Sequence, residues 1–396
     1  VTSRPPALAG LPLLEDLPPL KGKKVLVRTD FNAPLTKGPD GTVRVADTYR
    51  ITSALPTLRW LLDQGAHVTA CSHLGRPAND SYDKRYVMTP IRRVLDELCP
   101  QVTLLENLRF SAGEAANDPA FVSDLMDSFD AYVNEAFGVS HRAHGSVVGP
   151  PASLPSAAGR ELAHEVEILG GLFHKPARPF IAVVGGAKVA DKLGVLEALA
   201  PQVDTLAIGG AMAYTFLVAA GHKVGNSLVD ESHLDQCRRL LDAGVKILLP
   251  SDSVALPSGQ PFGAGEDGAG AMAATTFDDD IAEGFVGLDI GAKSAKSFAA
   301  AIADAKTVLW NGPLGVVEDS RFVAGTRTVA QAVADCGGFT VVGGGDSVSA
   351  IEHLGLGKKI SFLSTGGGAA LEFMEFGDLP GLKALRNASN APKGKR

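Results

Sequence analysis

FIAVVGGAKVADK, residues 180–192, divides the chain into two unlike halves and decides how both are read. Phe180 to Val184 is an apolar, β-branched run ending on Gly185 and Gly186, the pattern of a buried parallel strand entering a tight turn. LGVLEALA, which follows, has helical spacing, so a helix is expected with Asp191 in its first turn. If that helix has begun by Lys188, then Lys188 and Lys192 share one face. Glycines let a ligand approach the backbone, a helix N-terminus offers unpaired N–H groups, and two ammonium groups add positive charge. Two readings stand: a phosphate site, or an ordinary strand–turn–helix with solvated lysines.

A chain of 396 residues with 45% hydrophobic content is long enough for two domains. Its 37 Lys and Arg against 44 Asp and Glu give a net charge of -7, so neither nucleic acid nor a membrane surface is expected as a partner. Cys71, Cys99, Cys237 and Cys336 form no Cys-x-x-Cys pair, which argues against a zinc site or a disulfide framework and suits a reducing cytoplasm. The first residues show no basic region followed by a long apolar run, and the most apolar window, AIGGAMAYTFLVAAG at 207–221, is too short and too rich in small residues to span a bilayer.

In the first half VLVRTDF, HVTACS, VTLLEN and AYVNEAF read as strands, while TYRITSALPTLRWLLDQ and the segments after Pro90 and Asp118 read as helices. Alternation of this kind implies a parallel sheet covered on both faces, with ligands bound beyond the carboxyl ends of its strands. The basic residues cluster at those ends. Arg28 and Asp30 follow the first strand, His73 and Arg76 the second, Arg109 the third, and His141, Arg142 and His144 the fourth; Arg50 joins from the start of the first long helix. One arginine alone is a solvated charge. Several guanidinium forks on one crevice suit a small ligand carrying phosphate and carboxylate.

GPPASLPSAAG, from Gly149 to Gly159, reads as a linker, and RELAHEVEILGGLF after it as an amphipathic helix bridging two domains. His164 and Glu165 lack the second histidine of a metalloprotease motif and read as helix surface. The second half repeats the alternation in FIAVVGG, TLAIGG, KILLPSD, TVLWNG, FTVVGGG and KISFLSTGG, most of them ending on glycine. Gly343 to Gly345, followed by Asp346 and Ser347, form a loop able to cradle phosphates, with Asp346 either beside a Mg2+ ion or merely a helix N-cap. STGGG at 364–368 makes a second such turn, and these glycines with the two lysines favour a nucleotide.

Three patterns mislead. GAGEDG at 263–268 fits GxGxxG but lacks the flanking strand and helix, no GxxxxGK[ST] occurs, and DFN at Asp30 is not the DFG of protein kinases. The tail from Leu382, LKALRNASNAPKGKR, reads as a largely disordered basic end.

Together VRTDFNAP at Val27, SHLGRP at Ser72, LLENLRF at Leu104, NEAFGVSHRAH at Asn134, GGAKVADKLGV at Gly185, IGGAMAYTF at Ile208, LDIG at Leu288, WNGPLGVVE at Trp310, GGGDS at Gly343 and STGGGAALE at Ser364 make the chain resemble the phosphoglycerate kinase family. The resemblance runs from about Val25 to Pro380. It implies an α/β protein of two doubly wound, Rossmann-like parallel-sheet domains: an N-terminal 3-phosphoglycerate-binding domain over 1–158, a hinge helix over 159–174, a nucleotide-binding domain over 175–370, and a segment over 371–396 that packs back towards the first domain. The implied reaction is Mg-dependent phosphoryl transfer between ATP and the carboxylate of 3-phosphoglycerate, a glycolytic step, in a cytoplasmic monomer after hinge closure. Residue by residue, Asp30, Phe31, Asn32, Arg50, His73, Leu74, Gly75, Arg76, Arg109 and Arg142 resemble the sugar-acid site. Gly186, Ala187, Lys188, Lys192, Gly210, Gly291, Asn311, Glu318, Gly344, Gly345, Asp346 and Ser347 resemble the nucleotide site, with Asp346 towards the metal. Arg50, Lys188, Gly345 and Gly368 are the expected catalytic groups.

Two departures stand out. Only CPQVT separates the helix ending near Leu98 from LLENLRF, where the family usually carries a further strand–helix unit, so a smaller first sheet is expected; Ala211 and Ala370 replace a frequent glycine and serine. An acceptor carboxylate is already ionised at pH 7, so the reaction needs no general base, and no Ser-His or Asp-His arrangement is visible. A nicotinamide oxidoreductase would need the dinucleotide fingerprint that is missing here. A non-catalytic nucleotide-binding relative is the remaining alternative.

Overall fold

The computed structural model describes residues 4–78, 81–268 and 270–390. Two compact units emerge, one running to Gly171 and resuming at Phe376, the other from Leu172 to Glu375. The helix Arg160–His174 carries the chain from the first into the second.

The first unit is built on a five-stranded parallel sheet. Lys24–Arg28 lies at its centre between His67–Cys71 and Ala131–Asn134, with Thr103–Leu104 and Ser156–Ala158 on the edges. Register sets Val25 beside Val68 and Ala131, and Arg28 beside Cys71 and Asn134, so the strands end level with one another. Both faces are covered, which is why these strands read as continuous apolar runs. Val25 and Val27 pack against Leu58, Leu61, Ile91 and Leu95 from the covering helices.

Three expectations need correction here. The long helix expected over 48–64 is two, Tyr49–Thr52 and Leu55–Asp63, because Pro56 has no N–H to bond back into the preceding turn. The expected linker 149–159 ends in the buried edge strand Ser156–Ala158. From Leu382 the chain is not a free tail through its described part: Pro380–Asn390 is a helix whose Leu382 and Leu385 are buried, and the Gly381 N–H donates to the Ser140 carbonyl at 2.9 Å. The basic end 391–396 lies outside the described residues.

The second unit has a six-stranded parallel sheet in the order Lys246–Leu248, Thr205–Ile208, Phe180–Val184, Thr307–Asn311, Phe339–Gly343, Phe362–Leu363. Phe180–Val184 is buried along its whole length, as its composition predicts. Val183 and Trp310 pack with Phe298, Ile302, Val329 and Val333. A three-stranded antiparallel sheet, Thr275–Asp278, Asp252–Pro257 and Phe285–Ile290, was not legible in the alternation. Among the described residues no helix is long and apolar enough to cross a membrane.

Candidate active site

At the carboxyl ends of the first sheet, the strand-end residues are knitted together. Asp30 binds Arg50, and its other oxygen lies 4.0 Å from His73 Nδ1. Burial works to raise the Asp30 pKa, but the field of Arg50 and Arg28 outweighs it and holds the carboxyl below its ordinary range. Burial, with help from Arg28, Arg109 and Arg50 and against Asp30, brings the His73 imidazole down to about 3, so the ring is neutral. Asn32 Oδ1 accepts from the Gly75 N–H at 2.8 Å, and Arg109 donates to the Gly75 carbonyl at 2.8 Å. Gly75 has φ +61°, and a Cβ there would enter the Tyr86 ring, so glycine is required.

Arg76 and Arg142 are exposed, and Arg50 is partly so. Burial and the nearby Arg28 and Arg76 lower the Arg109 pKa, and Arg109, Arg28 and Arg142 all act on His144. Like charges gathered this closely oppose one another until an anion joins them. Phe31 and Leu74 are buried and take part through their backbones, Phe31 N–H donating to Ser72 Oγ and Leu74 N–H to Asn107 Oδ1. Asn107, whose amide also donates to the Leu74 and Tyr86 carbonyls, was not singled out from the sequence, although it lies inside LLENLRF.

In the second unit three strand ends are sewn together by main-chain bonds. Gly185 N–H donates to Asn311 O at 2.9 Å, Gly186 N–H to Pro313 O at 2.9 Å, and Gly210 N–H to Leu314 O at 3.2 Å. A Cβ at Gly185, Gly210 or Gly312 would strike backbone atoms of a neighbouring loop, which explains why these strands end on glycine.

The helix expected by Lys188 begins at Leu193, with Lys192 at its N-cap. The two lysines and Asp191 therefore precede the helix, so Lys188 and Lys192 do not share a helix face and Asp191 is not in its first turn. Lys188 and Ala187 are exposed. Lys192 turns inward to donate to Asn311 Oδ1, and burial brings its pKa down to about 8 against the pull of Asp346 and Asp191. The Asn311 amide nitrogen, buried and without a hydrogen-bond partner, faces Gly343 and Gly344.

Gly344, at φ +89°, is the N-cap of the helix Gly345–His353, so Gly345 and Asp346 stand exposed on its first turn. Ser347 is buried and accepts from the Gly312 N–H at 2.6 Å, tying that loop to the sheet. Gly368 opens the helix Gly368–Phe376. Gly291 caps the helix Ala292–Ala303 beside Asp252, and Glu318 sits exposed on the turn after Thr307–Asn311. Among the described residues no hydrogen bond joins Gly291 or Glu318 to the Lys192–Asn311 cluster.

No group of three or more His, Cys, Asp or Glu among the described residues forms a metal cage. A single exposed carboxylate at Asp346 fits Mg2+ only as that ion usually binds, through one or two carboxylates plus water and substrate phosphates.

An arginine crevice at the strand ends of one α/β unit and a glycine–lysine crevice at those of the other define a two-domain enzyme of the phosphate-transferring class. The phosphoglycerate kinase family model matches residues 14–102 and 99–376, its two segments meeting where the chain is short of the expected strand–helix unit. The phosphoglycerate kinase of Rubrobacter xylanophilus is 46% identical over 92% of this chain and 96% of its own length, and that of Clostridium botulinum (strain Hall) 42% identical over 94% and 98%. The solved phosphoglycerate kinase of Coxiella burnetii superposes with a TM-score of 0.82 at 34% identity, covering 94% of this chain and 98% of its own. The chain belongs to the phosphoglycerate kinase family.

Proposed function

We propose that the protein catalyses reversible transfer of the γ-phosphoryl group of ATP to the carboxylate of 3-phosphoglycerate, giving ADP and 1,3-bisphosphoglycerate. The observation that carries this reading is the arginine crevice around Asp30, in which cations crowd a neutral His73. A ligand with phosphate at one end and carboxylate at the other neutralises such a cluster. Asp30, Asn32, His73, Arg76, Arg109 and Arg142 would hold it, with the backbones of Phe31, Leu74 and Gly75 shaping the wall. The nucleotide would lie along Gly186, Ala187, Lys192, Gly210, Gly291, Asn311, Glu318 and Gly344 to Ser347.

Asp346 and the nucleotide phosphates would hold Mg2+, whose chemistry there is neutralisation of phosphate charge. The acceptor carboxylate attacks without a general base, so the protein's part is to position and to stabilise charge. Arg50 and Lys188 meet the charge on the moving phosphoryl group, and the N–H groups of Gly345 and Gly368 add to it. Transfer needs reacting atoms about 3 to 3.5 Å apart with water excluded. Domain closure about the helix Arg160–His174 would supply both, and small-angle scattering should show a smaller radius of gyration in the ternary complex than with either ligand alone.

The protein is read as a cytoplasmic monomer acting on small molecules. A coupled assay for 1,3-bisphosphoglycerate formation tests the function; nucleotide binding without product would leave a non-catalytic nucleotide-binding protein.

A further inference from the structure

Behind the arginine crevice lies a buried polar chain that the proposed function does not use. Glu114, from the short helix Ala112–Ala116, is fully buried and accepts from the Ser146 N–H at 2.8 Å and from Ser146 Oγ at 2.6 Å. Ser146 Oγ accepts in turn from Arg28 Nε at 2.8 Å. Arg28 is itself fully buried, with its guanidinium 3.9 Å from Glu114 Oε1, one nitrogen on the Thr29 carbonyl, and another 3.3 Å from His73 Nδ1.

Arginine carries donors and no acceptor, so His73 Nδ1 must be the accepting nitrogen and the proton of the neutral ring must sit on Nε2. The Asp30 contact with the same nitrogen agrees. Asp30 Oδ1 lies 4.0 Å from Nδ1, too far for a hydrogen bond, and has no hydrogen-bond partner, as expected if Nδ1 bears no hydrogen. The charged groups acting on the ring are Asp30, Arg28, Arg109 and Arg50.

We propose that Glu114, acting through Ser146 and Arg28, is a positioning residue that fixes His73 as the Nε2–H tautomer, so that the imidazole presents a donor to an anionic substrate. The chemistry calls for this. A neutral histidine with its free nitrogen outward would repel phosphate or carboxylate oxygens, whereas an Nε2–H donates to them without an added charge. Arg28 is thereby withheld from the ligand, and Glu114, together with Asp30, offsets the charge of its buried guanidinium. Glu114 also anchors the loop carrying Arg142 and His144, because Ser146 follows it directly.

The proposal rests on the reading of His73 as a 3-phosphoglycerate ligand, and the test separates the two. In full-length protein with 15N-labelled histidine, His73 should show an unprotonated Nδ1 and a protonated Nε2. Glu114→Gln should turn this into a mixture of tautomers and raise KM for 3-phosphoglycerate on the order of tenfold, the lower end of what losing a partner that orients a metal-ligating imidazole costs, with KM for ATP unchanged. Ser146→Ala removes only the hydroxyl between Glu114 and Arg28 and should move both readouts the same way, which keeps the test open if Glu114→Gln fails to fold. A proton on Nδ1 in the wild type, or unchanged His73 signals in the folded variants, overturns the proposal. If His73→Gln leaves KM for 3-phosphoglycerate unchanged, the substrate assignment of His73 fails instead, while the tautomer readout, which needs no substrate, still judges Glu114.

Discussion

Arg50 donates to one oxygen of Asp30, and the other oxygen of the same buried carboxylate has no hydrogen-bond partner. The arginine expected at the transferring group is thus held at the strand ends by a carboxylate that makes no second hydrogen bond through Oδ1. If Arg50 acts on the moving phosphoryl group, Arg50→Ala should lower kcat by a factor on the order of 10^3, with a smaller change in nucleotide affinity. Steady-state kinetics showing only a raised KM for 3-phosphoglycerate would reassign it to binding.

Lys192 has a pKa of about 8 in the free protein, below its ordinary 10.5. A polyphosphate beside it favours the charged form, so near pH 8 and above, nucleotide binding should take up protons. Calorimetry in two buffers of different ionisation enthalpy reads that uptake directly, and Lys192→Ala should abolish it and weaken MgATP binding while leaving 3-phosphoglycerate binding nearly unchanged. Without ligand, the unfolded state holds more protons than the folded one between about 8 and 10.5, so this residue makes stability rise with pH in that window.

His73 stays neutral in the fold down to about 3, whereas its unfolded value is near 6.5. Below 6.5 the unfolded chain gains a proton that the folded chain refuses, so the contribution is present above that pH and is lost as pH falls towards 3. Going from pH 7 to pH 5 should cost about 2 kcal/mol from this group alone. Urea unfolding at the two pH values checks it, and His73→Gln should flatten the difference; an equal slope in both proteins would reject the burial account.

Gly312 has φ +97°, and a Cβ there would press on the Gly185 carbonyl and come 3.1 Å from Gly186 N. Gly312→Ala should destabilise the second unit by on the order of 3 kcal/mol, from a strained backbone and a loop pushed off its neighbour. Trp310 donates to the Gly312 carbonyl and is fully buried, so its fluorescence reports the unfolding, with Trp60 replaced by Phe to leave one probe. Wild-type stability together with wild-type ATP affinity would show that the loops tolerate separation.

Alternation of strand and helix signals was enough to predict two parallel sheets, because strands buried on both faces must be continuously apolar and each must cross back through a helix. The same local logic put His73, Arg76, Arg109 and Arg142 at strand ends, and glycines at the ends of the other sheet. What a residue does at such an end depends on partners far away in the chain. Arg28 reads like the other arginines, yet Ser146, 118 positions on, and Glu114 close it into the interior, while Arg76 and Arg142 remain exposed. Lys192 reads as a helix-face twin of Lys188, but Asn311, 119 positions on, draws it inward and the helix starts after it. Periodicity and strand ends are local, and they place these side chains at the carboxyl ends of the two sheets. Which of them are spent on one another is settled by burial and hydrogen-bond pairing between distant segments, which no local pattern records.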